Sequence, residues 1–361
     1  MNVLLSEIRS SKLLWLLVFV PVVLVGEHLW SDRRTLLFLL SILAIVPLAA
    51  LLSRATESVA ERTGDAVGGL LNATLGNLTE LVIAFTALQA GQYMLVKASI
   101  AGAIVTNTLF MLGGSFLIGG LTHKEQQFNR LGARFQSSLL FLATVGLLVP
   151  SLVAQADGRE TIAQPLSLGL AVLLIIAYAF SLLFSLKTHK EAFASADHHD
   201  TGEITWPIGT ALTALAVVTI LVAMVSHVFV ASVQQAAETL GISPAFVGFI
   251  VVAIVGAAAE MATAFSAAAK DRLDLSVSIA LGSAAQIALF VAPLLVILSY
   301  FIGPTPMSLQ FWPGAIVMML IATLAATLMT NGGRSAWFVG VMILMVYAEF
   351  ALTLFMLPPV E

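Results

Sequence analysis

Long apolar stretches separated by short polar connections follow one another along most of the chain. About 20 mostly apolar residues are enough for a helix to cross the hydrocarbon core of a bilayer. Eleven stretches approach or exceed this length: 13–30, 35–53, 68–90, 97–120, 135–153, 165–187, 208–231, 243–269, 275–299, 310–329 and 335–357. The pattern therefore predicts an all-α integral membrane protein with about eleven transmembrane helices.

The composition is also that of a chain embedded in a lipid bilayer. Apolar residues make up 59% of the 361 residues and charged residues only 10%, which is too few charges to solvate the surface of a water-soluble fold. The 16 Lys and Arg against 20 Asp and Glu form no basic stripe, so we expect no nucleic-acid partner. Cysteine is absent, which excludes disulfides, thiolate metal sites and thiol catalysis.

The distribution of Lys and Arg predicts the orientation, because cytoplasmic loops carry an excess of these residues. With eleven spans, twelve of them fall on the side of the N-terminus, and only Arg33, Arg34, Lys97 and Arg159 fall on the opposite side. We therefore expect a cytoplasmic N-terminus, a C-terminus on the opposite side, and a cell inner membrane of bacterial type. The first stretch lacks a small-x-small cleavage site, so we expect it to be retained as a helix.

Two segments of the chain resemble each other. Each contains Gly-x-x-x-Glu within an apolar helix, at Gly76 to Glu80 and at Gly256 to Glu260, so the glutamates lie 180 residues apart. In the helix that follows, Asn107 and Gln286 lie 179 residues apart. Five helices separate the two copies, so the second copy crosses the membrane in the opposite sense. This predicts two inverted five-helix repeats, whose meeting point near the midplane is where transporters of this kind bind their substrate.

The repeat divides the chain into four parts. We expect an extra transmembrane helix in residues 1–34, a first five-helix repeat in 35–187 and a second in 208–361. Residues 188–207 include the longest polar segment and are expected to form a cytoplasmic linker. Its His and Asp residues allow weak metal binding, but a solvated loop is the favoured interpretation.

Glu80 and Glu260 are the strongest chemical signal. A carboxylate inside a spanning helix is costly unless it is paired, solvated or protonated, and two in matched positions on antiparallel helices indicate a shared pocket. Neutral oxygen ligands are available nearby from Asn77, Thr79, Asn107, Ser283 and Gln286. A site with oxygen ligands alone suits a hard cation, and one divalent cation or two protons would neutralise the two carboxylates. The bland alternative is a pair of buried glutamates that bridge helices through hydrogen bonds.

Other features of the spans have two interpretations. Small residues flank both glutamates, which indicates either close helix packing or helices that break beside an ion and free backbone carbonyls. Glu57, at the end of the second helix, is either a solvated helix end or a gating residue where ions enter. An intramembrane enzyme would need an aspartyl dyad, a Ser/His pair or a His-rich zinc motif, and the spans contain none. The inverted repeat favours a transporter over a channel as well. We expect no cofactor, and a homo-oligomer stays open.

At these residues the sequence resembles the CAX family of calcium/proton antiporters, within the cation/calcium exchanger superfamily. The resemblance runs from about Arg54 to the C-terminus. Its most specific parts are Arg54-Ala55-Thr56-Glu57, the run from Gly68 to Leu81, and the run from Gly282 to Pro293. It implies an extra first helix, two inverted five-helix halves and an acidic linker. It also implies that Glu80 and Glu260 bind calcium and protons, with Asn107 and Gln286 nearby.

The sequence departs from the family pattern in the second half of this site. The second family motif usually reads Gly-Asn-Ala-Ala-Glu-His, but Ala257 and Met261 stand here in place of the Asn and the His. After Gly102 the usual Ser is Ala103. The second half-site has therefore lost an amide and an imidazole, and restoring Asn at position 257 is expected to strengthen cation binding.

The leading hypothesis is a secondary active antiporter that moves cytoplasmic Ca²⁺ outward against protons by alternating access. Sodium-coupled exchange, or exchange of another divalent cation such as Mn²⁺, would use the same fold and the same glutamates. Ion competition in a flux assay separates these alternatives.

Overall fold

The computed structural model describes residues 11–63, 65–154, 160–189 and 206–359. Within these residues the chain forms thirteen helices and two short strands. The helices are α1 (Lys12–Leu29), α2 (Arg34–Arg62), α3 (Asp65–Leu75), α4 (Leu78–Gln89), α5 (Tyr93–His123), α6 (Arg130–Ala154), α7 (Gln164–Thr188), α8 (Ile208–Leu240), α9 (Pro244–Gly256), α10 (Ala258–Ala269), α11 (Leu273–Leu298), α12 (Pro313–Thr330) and α13 (Trp337–Met356). The strands are β1 (Glu125–Gln127) and β2 (Arg334–Ala336).

Nine of these helices are individually long and apolar enough to cross a membrane. The pairs α3–α4 and α9–α10 each form one broken span, bent by 42° and 58°, which brings the number of candidate spans in the described part of the chain to eleven. The predicted all-α membrane fold with about eleven spans is therefore confirmed. Helix α2 continues to Arg62, well beyond the apolar stretch that ends at residue 53, because Arg, Ala and Glu are good helix formers.

The helices repeat in order after α1. The series α2, α3–α4, α5, α6, α7 is followed by α8, α9–α10, α11, α12, α13, with a broken span second in each series. Contacts between the series are reciprocal: α2 packs along α8, α4 packs on α8 and α10 on α2, and α5 packs on α13 and α11 on α7. The most buried spans are α5 and α11, with 89% and 67% of their most apolar windows buried. The two central helices of the repeats therefore form the middle of the bundle.

The two faces of the bundle differ in how tightly the broken spans are packed. We call the face where α2, α5 and α7 end and α6 and α11 begin the basic side, because most of the Lys and Arg lie at these helix ends. On the opposite side α9 packs against α5 without space for side chains: a methyl at Gly102 would overlap the backbone of Phe249, whose carbonyl carbon would be 2.6 Å away. A methyl at Gly248 would be 2.6 Å from the Cβ of Ala98.

An extended segment closes the opposite side further. Between α11 and α12 the chain runs through Met307, Leu309 and Phe311, all of which are buried. Its backbone finds partners in serine side chains: the N–H of Leu309 donates to Ser167 Oγ at 3.0 Å and the N–H of Phe311 to Ser151 Oγ at 2.8 Å. Non-helical backbone inside a membrane protein needs such partners, because no water is available to satisfy it.

On the basic side the two series are joined by a small sheet. Strands β1 and β2 pair antiparallel, with Gln126 opposite Ser335. Gln126 also donates from Nε2 to the carbonyl oxygen of Ala268 at 3.0 Å and to Asp271 Oδ1 at 2.8 Å, which ties the end of α10 to this sheet. Most of the predicted linker, residues 190–205, lies outside the described residues.

Candidate ion-binding site

Both candidate glutamates lie immediately after a helix break. Helix α3 ends before Gly76 and Asn77, and Asn77 (φ −98°, ψ 31°) precedes α4. Ala257 (φ −82°, ψ 7°) has the same place between α9 and α10. Glu80 and Glu260 therefore occupy the first turns of half-helices, where unpaired N–H groups and the helix dipole favour negative charge.

The structure brings the two carboxyl groups close together. Glu80 is 8% exposed, and its side chain lies against the other broken span: a methyl at Gly256 would be 2.9 Å from Glu80 Cγ. Gly256 lies four residues before Glu260 on that broken span, so the side chain of Glu80 approaches the break from which Glu260 projects. A glycine at position 256 is therefore needed for Glu80 to approach the other half of the molecule.

Four of the predicted neutral ligands form one hydrogen-bonded network. Asn77 donates from Nδ2 to Gln286 Oε1 at 2.7 Å, and Ser283 Oγ donates to Asn77 Oδ1 at 2.7 Å. Asn107 donates from Nδ2 to Ser283 Oγ at 2.9 Å. The Ser283 hydroxyl also lies beside the carboxylate of Glu260. The network thus joins α5 and α11 to the break before α4.

Three buried oxygen atoms in this region have no hydrogen-bond partner among the described residues. They are Glu80 Oε1, Glu260 Oε2 and Asn107 Oδ1. An unsatisfied buried polar atom costs about 1–3 kcal/mol, and more when it is charged, so three together suit a site that binds a cation or protons. Nowhere in the described chain do three His, Asp or Glu side chains group around a possible metal position. A cation here would rely on two carboxylates and neutral oxygens.

Thr79 and Glu57 lie apart from this network. Thr79 is buried on α4, but no hydrogen bond between described residues joins its hydroxyl to the network. Glu57 is exposed near the end of α2, where Ser53 Oγ donates to Glu57 Oε1 at 3.3 Å. Glu57 lines the same cavity as Glu260, and its role as a residue where ions enter stays a prediction.

A cavity of about 300 Å³ connects Glu260 with the basic side. Glu260, Ser283 and Gln286 line its inner part, and Glu57 and Asp274 line its mouth. Glu80 is not among the lining residues and lies deeper. The site therefore opens toward the basic side, while the packed α5–α9 contact closes the other route.

Three further residues that line this cavity were not expected from the sequence. Asp274, in the first turn of α11, accepts a hydrogen bond from the backbone N–H of Asn129 at 2.7 Å, which joins the N-terminal ends of α11 and α6. Gln136, on α6, donates from Nε2 to Ser278 Oγ at 3.3 Å, and its Oε1 has no partner among the described residues. Asn72, one turn before the α3 break, is the third. Asn72 lies within the Gly68 to Leu81 run that carries the family resemblance. An acidic residue in a first turn and a glutamine near a helix end are ordinary, so the sequence carried no specific signal for Asp274 or Gln136.

The two half-sites are chemically unequal. At the 180-residue offset that relates the glutamates, Gly102 corresponds to Gly282 and Phe110 to Phe290. At the same offset Asn77, Ser283 and Gln286 correspond to Ala257, Ala103 and Thr106, all of which are buried. Gln286 is thus matched by Thr106 and not by Asn107, the residue one position later with which the sequence spacing paired it. The departure at Ala257 is thus accompanied by a second one at its expected partner, Ala103. One half-site has an amide–hydroxyl network, and the other has two alanines and one threonine hydroxyl in its place.

The comparisons with known proteins cover almost the whole chain. The sequence pattern of the family described as sodium/calcium exchanger protein matches residues 34–187 and 210–356. A protein named Ca²⁺/H⁺ antiporter from Aphanothece halophytica is 40% identical over 374 residues, which cover 98% of each chain. The Ca²⁺/H⁺ antiporter ChaA from Bacillus subtilis is 39% identical and covers 94% of this chain and 97% of its own.

A solved structure agrees with these matches. Native YfkE is 36% identical, covers 96% of this chain and 100% of its own, and superimposes with a TM-score of 0.83. The relatives are named as antiporters, which are transporters and not enzymes, in agreement with the expectation that the chain is not an enzyme. The identity, the coverage and the eleven candidate spans together make this chain a multi-pass membrane member of the sodium/calcium exchanger protein family.

Proposed function

We propose that this chain is a secondary active antiporter that exchanges cytoplasmic Ca²⁺ for protons at Glu80 and Glu260. The observation that carries the proposal is the pair of carboxylates at two facing helix breaks, with unpartnered oxygens on both and on Asn107. One of the pair, Glu260, lines a cavity that opens toward the basic side. The names of the relatives, Ca²⁺/H⁺ antiporters at 39–40% identity over nearly the whole chain, support the choice of ions.

Exchange follows from charge balance at the two carboxylates. When both are ionised they match the charge of one Ca²⁺, and the neutral oxygens of the network complete an oxygen-only site of the kind that Ca²⁺ prefers. When the cation leaves, two buried negative charges would remain side by side, so protons bind in its place. Ca²⁺ and protons therefore occupy the site alternately.

The packing supports alternating access. The cavity opens on the basic side, which the Lys and Arg rule assigns to the cytoplasm, and on the opposite side Gly102 is packed against Phe249. Because the halves are inverted copies, exchanging their conformations would pack α3 against α11 and separate α9 from α5. The site would then open to the opposite side, and Ca²⁺ bound from the cytoplasm would leave there.

Flux through the purified protein in proteoliposomes tests the proposal. With the membrane potential clamped, a proton gradient is expected to drive Ca²⁺ uptake into vesicles that are acidic inside, and abolishing the gradient should abolish the uptake. A Na⁺ gradient and excess Mn²⁺ are tested in parallel, because they identify the two alternative exchangers. Uptake that follows the Na⁺ gradient and ignores the proton gradient would reject proton coupling, and Ca²⁺ flux with neither gradient coupled to it would indicate a channel.

A matched substitution ties the flux to the site. Glu80→Gln and Glu260→Gln each leave one charge for a divalent ion at a buried site, so each is expected to abolish exchange. Glu349 is also a carboxylate within a span, on α13, but its side chain is exposed, so Glu349→Gln is expected to transport like the parent.

A further inference from the structure

Two tyrosines occupy equivalent places in the two halves. Tyr178 on α7 stacks on Phe290 of α11 with ring centroids 5.6 Å apart, and Tyr347 on α13 packs on Phe110 of α5 at 5.2 Å. Both phenylalanines lie in widened, π-helical turns, Thr106–Met111 and Ile287–Val291. Such turns inside α-helices are frequent at functional sites. Each tyrosine thus contacts the central helix of the other half.

The hydroxyls of the two tyrosines have different partners. Tyr178 donates to the carbonyl oxygen of Ala73 at 2.6 Å. In an unbroken helix that carbonyl would accept from the N–H of Asn77, where α3 is interrupted. Tyr347 lies farther from its partner, with its hydroxyl 3.3 Å from Thr106 Oγ1.

The second break has no such contact with a tyrosine among the described residues. The carbonyl oxygen of Ala253, which corresponds to Ala73, accepts from the backbone N–H of Ala257 at 3.2 Å. The two halves therefore satisfy equivalent carbonyls in different ways. The carbonyl of Ala73, which lines the cavity, accepts a hydrogen bond from a tyrosine side chain, and that of Ala253 accepts one from the backbone of its own helix.

We propose that Tyr178 and Tyr347 are positioning residues of the exchange cycle, each holding the break of its own half while that half faces an open cavity. The inference rests on the proposed alternating access. When the halves exchange conformations, the Tyr347 hydroxyl donates to the carbonyl oxygen of Ala253, and the carbonyl oxygen of Ala73 accepts instead from the backbone N–H of Asn77. Tyr178 then faces Gln286, which corresponds to Thr106.

The two hydroxyls therefore act on the equilibrium with opposite signs. In the state described here Tyr178 makes the short bond and Tyr347 the long one, and in the exchanged state the roles reverse. Removing the hydroxyl of Tyr178 disfavours the state open to the basic side, and removing that of Tyr347 favours it. Removing both leaves the equilibrium close to that of the parent, because equivalent bonds are lost from each state.

The absence of cysteine makes accessibility easy to measure. Ser278→Cys reports the cavity, which Ser278 lines. Ser99→Cys reports the opposite route, because Ser99 is 8% exposed and its backbone nitrogen lies at the α5–α9 contact, where it would be 3.1 Å from a methyl at Gly248. Each is reacted with a membrane-impermeant thiol reagent, and the ratio of the two rates measures the equilibrium between the states.

Tyr178→Phe is expected to shift this ratio toward the Ser99 reporter by about 2- to 10-fold, the effect of one hydrogen bond. Tyr347→Phe is expected to shift it toward the Ser278 reporter, and the double variant to return it to the parent ratio. Tyr300→Phe is the control, because it removes an exposed hydroxyl on the opposite side that contacts neither break and accepts only a long bond from Gln164 Nε2, at 3.4 Å. It should leave the ratio unchanged. Monodispersity in detergent confirms that each variant is folded.

Shifts in the same direction for the two single variants, a double variant whose ratio stays away from that of the parent, or no shift in either single variant would overturn the proposal. The proposed ions are tested separately by flux through the parent protein. If the parent showed no Ca²⁺/H⁺ exchange but the labelling shifts were opposed and cancelled in the double variant, the proposed function would be rejected and the role of the two tyrosines retained. If the parent exchanged normally but the labelling shifts were not opposed, the role of the tyrosines would be rejected and the proposed function retained.

Discussion

Gly102→Ala is expected to open the route that is closed in this structure. A methyl at Gly102 would lie 2.6 Å from the carbonyl carbon of Phe249 and overlap the rest of that backbone. Carbon atoms pack at about 3.5–4.0 Å, so α5 and α9 would have to separate by about 1 Å. The atoms that the methyl would meet belong to the backbone of Phe249, so no change of side-chain rotamer can relieve the overlap.

The equivalent substitution in the other half has the opposite effect. A methyl at Gly282 would meet only Gln136 Nε2, at 3.4 Å, so Gly282→Ala fits this state. In the exchanged state it would collide with the backbone at Gly69, which corresponds to Phe249. Overpacking of this kind costs typically 1–3 kcal/mol, which is about 5- to 150-fold in the equilibrium between the states.

The thiol-labelling ratio of the Ser278 and Ser99 reporters measures this shift. Gly102→Ala is expected to raise labelling of the Ser99 reporter relative to the Ser278 reporter, and Gly282→Ala to lower it. Gly169→Ala is the matched control, because Gly169 lies in a span with no atom within 4 Å of the added methyl. If Gly102→Ala and Gly282→Ala shifted the ratio in the same direction, or if Gly102→Ala behaved like the control, the two-state packing argument would be refuted.

Three further predictions concern the site. Asn107→Ala and Gln286→Ala are expected to raise the half-saturating Ca²⁺ concentration about 10- to 100-fold, as loss of supporting ligands does, and unchanged values in both would make these residues packing residues only. Acidifying the cavity side from about pH 8 to 6 should raise the half-saturating Ca²⁺ concentration, by up to about 100-fold per pH unit where two protons are displaced; a constant value would contradict competition for the same carboxylates. Ala257→Asn alone is expected to reduce the free energy of unfolding by about 1–3 kcal/mol, because it buries an amide without a partner. Adding Ala103→Ser is expected to restore the lost stability. Thermal unfolding of the two variants measures this, and equal losses in both would exclude the pairing of positions 257 and 103.

Much of the fold follows from local features of the sequence. A run of about 20 apolar residues has few alternatives to a spanning helix, and two Gly-x-x-x-Glu segments at one offset are visible without a structure. Strands β1 and β2 are different: each has three residues, and their pairing depends on which loops meet on the basic side. No periodicity within three polar residues indicates it.

The site was predicted in part. The matched spacing predicted the glutamates as a pair, and residue chemistry predicted Asn77, Ser283 and Asn107 as neutral oxygen ligands. The structure joins these three side chains in one hydrogen-bonded network. A single substitution at Ala257 appeared correctable until the structure joined Asn77 to Ser283, because the 180-residue offset matches that pair with Ala257 and Ala103. The place of Tyr178 at the Ala73 carbonyl was not predictable, because an aromatic residue in a span is usually a packing residue.

The direction in which the site opens is beyond the sequence for a thermodynamic reason. In the proposed cycle the same residues specify both the state described here and its exchanged counterpart, and two such states differ by only a few kcal/mol. Sequence patterns record the contacts that each state can make, such as the small residues at Gly102 and Gly282. They do not record which set of contacts is formed.

The central claim is that one pair of carboxylates binds Ca²⁺ and protons alternately, and reverse coupling tests it most directly. Proteoliposomes with equal pH inside and outside receive a Ca²⁺ gradient while a trapped dye reports internal pH and the membrane potential is clamped. We predict proton movement opposite to Ca²⁺ in the parent and in Glu349→Gln, and none in Glu80→Gln or Glu260→Gln. Proton movement that persists in either of the last two variants, or Ca²⁺ entry in the parent without any change of internal pH, would contradict the claim.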